Sequence, residues 1–189
     1  MIIGYAGGGT RNLIANKPVR NMEELKGLSM RVMGAPIQTK MFSAIGAKPS
    51  VIAYNEVYNA IQTGVIQGAE NEAAGMDAMK FYEVGPDISL TQHAITVRPI
   101  SFSGKTFRRL PPELQAAILK AGKEAGKYGR DLDSSGDSAL LAKLEKEGKL
   151  KTYPFTERAK LLELAGPVKQ AYATEIDATA MLDKVNAMK

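Results

Sequence analysis

An arginine inside an apolar strand pattern is the residue whose chemistry most needs an explanation in this 189-residue chain. Arg31 lies between Met30 and Val32, in a segment (residues 28–32) that otherwise has the pattern of a buried strand. A buried charge costs several kcal/mol unless an opposite charge or hydrogen bonds compensate it. Either a carboxylate of the protein or an anionic ligand must therefore contact this guanidinium.

Two further polar side chains are placed to meet such a ligand. Arg31 lies near the carboxyl end of its predicted strand, Asn71 follows another strand, and Arg11 lies 20 residues before Arg31. In an open parallel sheet, ligands bind beyond the carboxyl ends of the strands. The two guanidiniums and the carboxamide would there form a clamp for a carboxylate group. The alternative is an internal ion pair between Arg31 and Glu70, and the spacing alone leaves both open.

Other kinds of chemistry have less support in the sequence. Glu70 and Glu72 could serve a small α/β enzyme as acid or base on an acidic substrate, but no hydrolase or metal motif accompanies them. His93, the single histidine, has no metal-ligand spacing around it, so we expect a structural role. The glycines at 7–9 lack the spacing of a phosphate loop, and we expect a hinge or a turn there. A structural or regulatory module, with Arg31 satisfied by Glu70, is the third hypothesis.

Composition excludes several classes of protein. The chain contains no cysteine, which rules out disulfides, thiolate catalysis and zinc–thiolate sites, and we expect no cofactor. The formal charge of +5 falls on residues 105–160, where basic and acidic side chains alternate as on a solvated helix face. We therefore expect no nucleic-acid binding. No run of apolar residues is long enough for a transmembrane helix, and the first five residues do not resemble a signal peptide.

Short strands alternate with helices along the first half of the chain. This alternation predicts βαβ units, a largely parallel sheet and an α/β fold. Asn21 followed by Glu24 resembles a capping box and predicts a short helix before residue 27. From Pro111 a single long helix is predicted to about residue 147, and Gly166-Pro167 should kink or break the last helical segment.

Four segments, in this order along the chain, also carry a family resemblance. They are residues 21–32, residues 54–71, residues 80–84, and the Leu-Pro-Pro-Glu at 110–113 with the long helix that follows it. Together they resemble the DctP-type extracytoplasmic solute-binding proteins of TRAP transporters. The resemblance covers most of the chain.

The resemblance implies a periplasmic protein of two α/β lobes, of the type II binding-protein kind, that catalyses no reaction. Such a protein captures an organic acid and delivers it to the membrane permease subunits of a sodium-driven transporter. Residues 1–96 and 137–189 would form the ligand-binding lobe, a mixed and mostly parallel sheet. Residues 97–136 would form a long arm, a crossover strand and helix belonging to the first lobe.

The resemblance also implies roles for individual residues. Arg31 occupies the place of the arginine that forms a salt bridge with the ligand carboxylate, and Arg11 matches a second arginine. Asn71 matches the asparagine that closes a Gly-x-Glu-Asn motif, and Tyr54 matches an aromatic residue that lines the pocket. The family commonly has proline after that asparagine, whereas this chain has Glu72, which would accept hydrogen bonds from ligand hydroxyls. The expected ligand is a sugar acid, a hydroxy or oxo acid, or a dicarboxylate.

The family's members are longer than this chain, which begins where their second lobe begins. The resemblance therefore implies that most of the first lobe is outside this sequence. The apolar face of residues 95–102 and that of the helix containing Leu114, Ile118 and Leu119 would then lack a partner. Exposed apolar faces of this kind associate, so we expect either a homodimer formed through the arm or that the chain is a fragment of a longer protein.

Overall fold

The computed structural model describes residues 1–188 of the chain. Within them one sheet has six strands: β1 (Ile2–Ala15), β2 (Ser29–Val32), β3 (Lys48–Val51), β4 (Gly68–Asn71), β5 (Asp87–Ser101) and β6 (Lys151–Pro154). The α-helices are α1 (Met22–Leu25), α2 (Pro36–Ala44), α3 (Val57–Gln62), α4 (Ala73–Ala78), α5 (Gly104–Phe107), α6 (Pro112–Lys146), α7 (Arg158–Glu175) and α8 (Thr179–Ala187). No helix among these residues is long and apolar enough to cross a bilayer.

The sheet is mixed and mostly parallel, as predicted. Its strand order is β3-β2-β4-β1-β5-β6. β2 runs parallel to β3 and to β4, and β5 runs parallel to β6, whereas β1 runs antiparallel to both of its neighbours, β4 and β5. The long strand β1 therefore lies in the interior of the sheet, and β2 and β4 end at the same edge of it.

Helices cover both faces of the sheet. Consecutive residues of a strand point to opposite faces, and Leu13 and Ile14 of β1 accordingly belong to two different clusters of buried side chains. α1, α2 and α7 pack on the face of Leu13. α3, α4 and the end of α6 pack on the face of Ile14. Because both faces are covered, the consecutive residues Leu13, Ile14 and Ala15 of β1 are all buried.

Two breaks between elements that the sequence predicted do not occur. Gly7 and Gly8 do not form a turn between elements but an irregularity inside β1, where the register against β5 shifts and both residues have positive φ (99° and 122°). Gly166-Pro167 does not end α7, which continues through Pro167. Leu161 and Ala173, buried on either side of the proline, hold both halves of the helix against the core.

The arm predicted at 97–136 contacts the beginning of the chain. Residues 2–7 of β1 pair with residues 97–101 of β5, and α6 packs on β1. Glycines allow the helix to approach the strand closely, because a Cβ atom at Gly126 would lie 2.6 Å from the carbonyl oxygen of Tyr5. The predicted division between residues 97–136 and the rest of the chain stays a prediction.

This close approach predicts opposite effects of one substitution at two glycines of α6. Gly126→Ala should lower the free energy of unfolding by about 1–3 kcal/mol, because the new methyl group forces the helix away from β1. Gly136→Ala, where a Cβ atom would meet nothing within 4 Å, should raise it by up to about 1 kcal/mol through helix propensity. Urea unfolding measures both, and equal effects of the two variants would contradict the packing.

Candidate functional site

The five residues singled out from the sequence line one cavity. It has a volume of about 580 Å³ and lies at the edge where β2 and β4 end. Its lining includes the five predicted residues, Arg11, Arg31, Tyr54, Asn71 and Glu72, together with Thr96 and Arg98. The predicted convergence of two guanidiniums and a carboxamide therefore occurs, and the hydrogen bonds decide what each group can do there.

Strand register separates the two arginines from one another. Gly68 of β4 lies opposite Met30 of β2, so Glu70 shares the sheet face of Met30 and Arg31 has the opposite face. Asn71, next to Glu70 in β4, shares the face of Arg31. The internal ion pair between Arg31 and Glu70 does not form, because the two side chains leave the sheet on opposite sides.

Arg11 takes the internal carboxylate instead. Leu13 lies opposite Glu70 in the antiparallel pair of β1 and β4, so Arg11, two residues before Leu13, is a diagonal neighbour of Glu70 on the same face. Its Nη2 donates to Glu70 Oε1 (2.9 Å) and its Nε to Glu70 Oε2. Its Nη1 donates to Glu72 Oε2 (2.8 Å).

These contacts use the hydrogen-bonding capacity of Arg11. Its Nη2 also donates to the backbone carbonyl of Glu70 (3.1 Å) and its Nη1 to Thr96 Oγ1 (3.1 Å). With the bonds to the two carboxylates, the N–H groups of the guanidinium all have protein acceptors. Burial lowers the pKa of Arg11, but Glu70 and Glu72 more than offset this and raise it. A ligand contact from Arg11 stays a prediction.

Arg31 has N–H donors that form no hydrogen bond with the described residues. Its side chain is almost fully buried, with 6% of the residue exposed, and its Nε donates to the carbonyl oxygen of Ile52 (2.9 Å). Within residues 1–188 it forms no salt bridge, and no buried side-chain nitrogen or oxygen lacks a partner. Its terminal nitrogens, which donate to no protein group in this part of the chain, therefore open into the cavity. Burial is the main cause that lowers the pKa of Arg31 from its ordinary value.

Tyr54 and Asn71 hold each other beside this guanidinium. The Tyr54 ring lies 5.5 Å from the Arg31 guanidinium carbon, in the geometry of a cation–π contact. Asn71 Nδ2 donates to the Tyr54 hydroxyl (2.9 Å), which itself donates to the carbonyl oxygen of Gly75 (3.2 Å). Asn71 Oδ1 accepts the backbone N–H of Glu72 (3.0 Å), and the second Nδ2 hydrogen has no acceptor among residues 1–188.

Glu70 is the most deeply buried charge of the site. Its side chain is fully buried, and His93 Nε2 lies 3.3 Å from its Oε2. Burial works to raise the pKa of Glu70, but hydrogen bonds from His93 and Arg11 and the charge of Arg11 outweigh it and lower that pKa. His93 also contacts Thr91 Oγ1 through Nδ1 (2.8 Å). The expected structural role of His93 is consistent with these contacts.

Glu72 carries the second ion-pair cluster, which the sequence analysis did not foresee. Thr96 Oγ1 donates to its Oε2 (2.6 Å), and Arg98 forms a salt bridge with its Oε1 and another with Asp133 (3.0 Å). Burial works to raise the pKa of Glu72, but the Thr96 hydrogen bond and the charges of Arg11 and Arg98 lower it. Thr96 and Arg98 are two residues apart in β5, so their side chains lie on the same face of the strand. This spacing is the sequence signal that could have identified them.

Comparison with protein families and known proteins finds relatives over nearly the whole chain. The DctP family, bacterial extracellular solute-binding protein family 7, matches residues 1–175. A solute-binding protein of Sulfitobacter sp. (strain NAS-14.1) is 57% identical over 186 residues, which are 98% of this chain and 56% of that protein. The chain spans about half the length of the curated relatives it matches.

Two solved TRAP periplasmic solute-binding proteins share the fold. One, from Sulfitobacter sp. NAS-14.1 with bound α-D-taluronate, is 57% identical, with a TM-score of 0.94 over 97% of this chain and 60% of that chain. The other, from Roseobacter denitrificans with bound β-D-glucuronate, is 29% identical, with a TM-score of 0.91 over 100% of this chain and 63% of that chain. The predicted α/β fold of a binding-protein lobe is confirmed.

The ion pairs of Glu70 and Glu72 predict that acid weakens the fold. Both carboxylates have a lowered pKa in the folded chain, so the unfolded chain binds protons more readily. Their contribution to stability is therefore present above their unfolded pKa and is lost as the pH falls through the folded values, from about pH 5 downward. Urea unfolding between pH 7 and pH 3 should show this decline.

A variant separates the buried glutamate from the rest of the chain. Glu70→Gln should lower the free energy of unfolding at pH 7 by about 3–5 kcal/mol, because it leaves Arg11 short of a partner, and should flatten the decline below pH 5. Glu23→Gln, at an exposed position without a salt bridge, is the control. An unchanged acid profile in Glu70→Gln would contradict the assigned ion pair.

Proposed function

The chain belongs to the DctP family of bacterial extracellular solute-binding proteins, and from this premise we propose that it captures a small organic acid at Arg31. The observation that carries the proposal is the state of the two arginines at the cavity. Arg11 already has carboxylate partners, whereas the terminal nitrogens of Arg31 open into the cavity. An anionic ligand would supply the opposite charge that the nearly buried Arg31 lacks.

The surrounding groups suit a carboxylate. The planar guanidinium of Arg31 can bind both carboxylate oxygens at once, and the Tyr54 ring lies beside it in a cation–π contact. The free Nδ2 hydrogen of Asn71 lies on the same face of the sheet and would reach one of those oxygens. Tyr54, with 40% of its surface exposed, would also pack against the carbon skeleton of the ligand.

The relatives support an organic acid as the ligand. The two solved relatives hold taluronate and glucuronate, which are sugar acids. By this analogy the protein would bind a sugar acid, with hydroxy acids, oxo acids and dicarboxylates as the wider class. It would work in the periplasm and pass the acid to the membrane permease subunits of a TRAP transporter.

The cavity does not suit the alternative of an acid–base enzyme. The family and the solved relatives are solute-binding proteins, not enzymes. A general base works best with a pKa near the working pH, whereas Glu70 and Glu72 both have a lowered pKa and bind arginines. No observation therefore favours catalysis by either carboxylate.

Replacement of Arg31 tests the proposal directly. Arg31→Lys keeps the charge but loses the two parallel N–H donors, and should weaken the binding of D-glucuronate by about 10- to 100-fold, since a hydrogen bond to a charged group contributes about 1.5–3 kcal/mol. Arg31→Ala should abolish binding. Arg109→Lys, at an exposed position away from the cavity, is the matched control.

Isothermal titration calorimetry measures these affinities. A panel of uronates, aldonates, 2-oxo acids and C4-dicarboxylates should contain at least one acid that the protein binds. Full affinity in Arg31→Ala would refute the assigned contact, and no binding by any acid of the panel would refute the proposed function.

Association through the arm stays a prediction with its own test. Three large side chains of α6 are exposed: Leu114 (48%), Tyr128 (70%) and Leu132 (57%). Tyr128 lies 14 residues and Leu132 lies 18 residues after Leu114, which places all three on one face of the helix. A second copy of the chain would cover this face. Sedimentation should show a dimer that Leu132→Glu dissociates, while Leu164→Glu on α7 leaves it intact. A monomer at high concentration would contradict this expectation.

A further inference from the structure

The charges at the cavity suit a ligand with one negative charge. Of the three arginines that line it, Arg11 binds Glu70 and Glu72, and Arg98 binds Glu72 and Asp133. Arg31 forms no salt bridge among residues 1–188. One ligand carboxylate could therefore pair with Arg31. A second carboxylate on the same ligand would have no arginine without a partner among those that line the cavity.

Glu72 and Arg98, which also line the cavity, are suited to hydroxyl groups instead. Glu72 Oε2 accepts from Arg11 and Thr96, while its Oε1 accepts from Arg98. A carboxylate oxygen can accept two hydrogen bonds, so Oε1 has room for another donor. Arg98 is half-exposed and uses only two of its N–H groups in the contacts that the described residues show. A hydroxyl group can donate a hydrogen bond to Glu72 Oε1 and accept one from Arg98.

A carboxylate in that position would be disfavoured. It would lie beside Glu72, and like charges in a partly buried site raise the free energy of binding. Arg98 cannot offset this cost fully, because Glu72 and Asp133 already share its charge. Such repulsion would raise the selectivity by weakening the binding of dicarboxylates relative to acids with one carboxylate.

We infer that the Glu72–Arg98 pair makes the cavity selective for monoanionic polyhydroxy acids over dicarboxylates, an inference that rests on the proposed function of Arg31. The acid's carboxylate lies at Arg31, and its hydroxyl groups lie at Glu72 and Arg98. Neither Glu72 nor Arg98 is needed for the first contact. Arg31 therefore provides the affinity for a carboxylate, whereas the Glu72–Arg98 pair determines which acids are preferred.

The matched probes are D-gluconate and D-glucarate, which share one open carbon chain and differ in a second carboxylate. Calorimetry at pH 7 should give at least about tenfold tighter binding of gluconate. Glu72→Gln removes the repulsion with little change of shape, so the ratio of the two affinities should fall towards one. Glu56→Gln, an exposed glutamate that does not line the cavity, should leave the ratio unchanged.

A second variant should move the ratio in the other direction. Arg98→Gln leaves Glu72 with one arginine fewer, so repulsion of the second carboxylate grows and the ratio of gluconate to glucarate affinity rises. Arg98→Lys keeps the charge and should restore the wild-type ratio in large part. A general structural disturbance would not shift the ratio in opposite directions in Glu72→Gln and Arg98→Gln.

The outcomes separate this inference from the proposed function. Equal binding of glucarate and gluconate by the wild-type protein, or an unchanged ratio in both Glu72→Gln and Arg98→Gln, would overturn the selectivity while carboxylate binding at Arg31 still holds. Loss of the response to Arg31→Lys would instead reject the function on which it rests.

Discussion

The burial of Arg11 between two glutamates is the interaction on which the site depends. A guanidinium at this depth is tolerated only because Glu70 and Glu72 compensate its charge and accept its hydrogen bonds. The same two carboxylates bind Arg11, and neither forms a salt bridge with Arg31 among the described residues. Because the two glutamates pair with Arg11, Arg31 remains without a carboxylate partner at the cavity. The anion site proposed at Arg31 needs this asymmetry, since a cation already paired by the protein would first have to give up its partner.

The pairing also fixes the geometry of the groups that remain open. Arg31 is held by the Ile52 carbonyl oxygen and the Tyr54 ring, and Asn71 by the Tyr54 hydroxyl and the backbone of Glu72. Side chains restrained in this way lose little conformational freedom when a ligand arrives, so more of the interaction energy remains as affinity. The neutral contacts around the cavity would thus contribute to the proposed binding without touching the ligand.

Sequence reasoning identified residues that line one cavity but could not divide the roles between the arginines. An apolar strand around Arg31 and the position of Asn71 were enough to place both at a sheet edge. Whether Glu70 pairs with Arg11 or with Arg31 depends on register, because a shift by one residue moves a side chain to the other face. The antiparallel pairing of β1, which sets Leu13 opposite Glu70, is a long-range contact that local patterns do not contain. The same holds for Arg98, which reaches Glu72 only because β5 runs beside β1.

Helix α6 is joined to the cavity residues by hydrogen bonds and ion pairs as well as by packing. Asp137 of α6 accepts the backbone N–H groups of Thr10 in β1 and of Ala73 at the start of α4. Burial raises the pKa of Asp137, and the backbone hydrogen bonds work against that rise. One turn earlier on α6, Asp133 binds Arg98, which in turn binds Glu72 at the cavity. A ligand that changes the contacts of Glu72 therefore changes the forces on α6, because the helix and the cavity share the same ions.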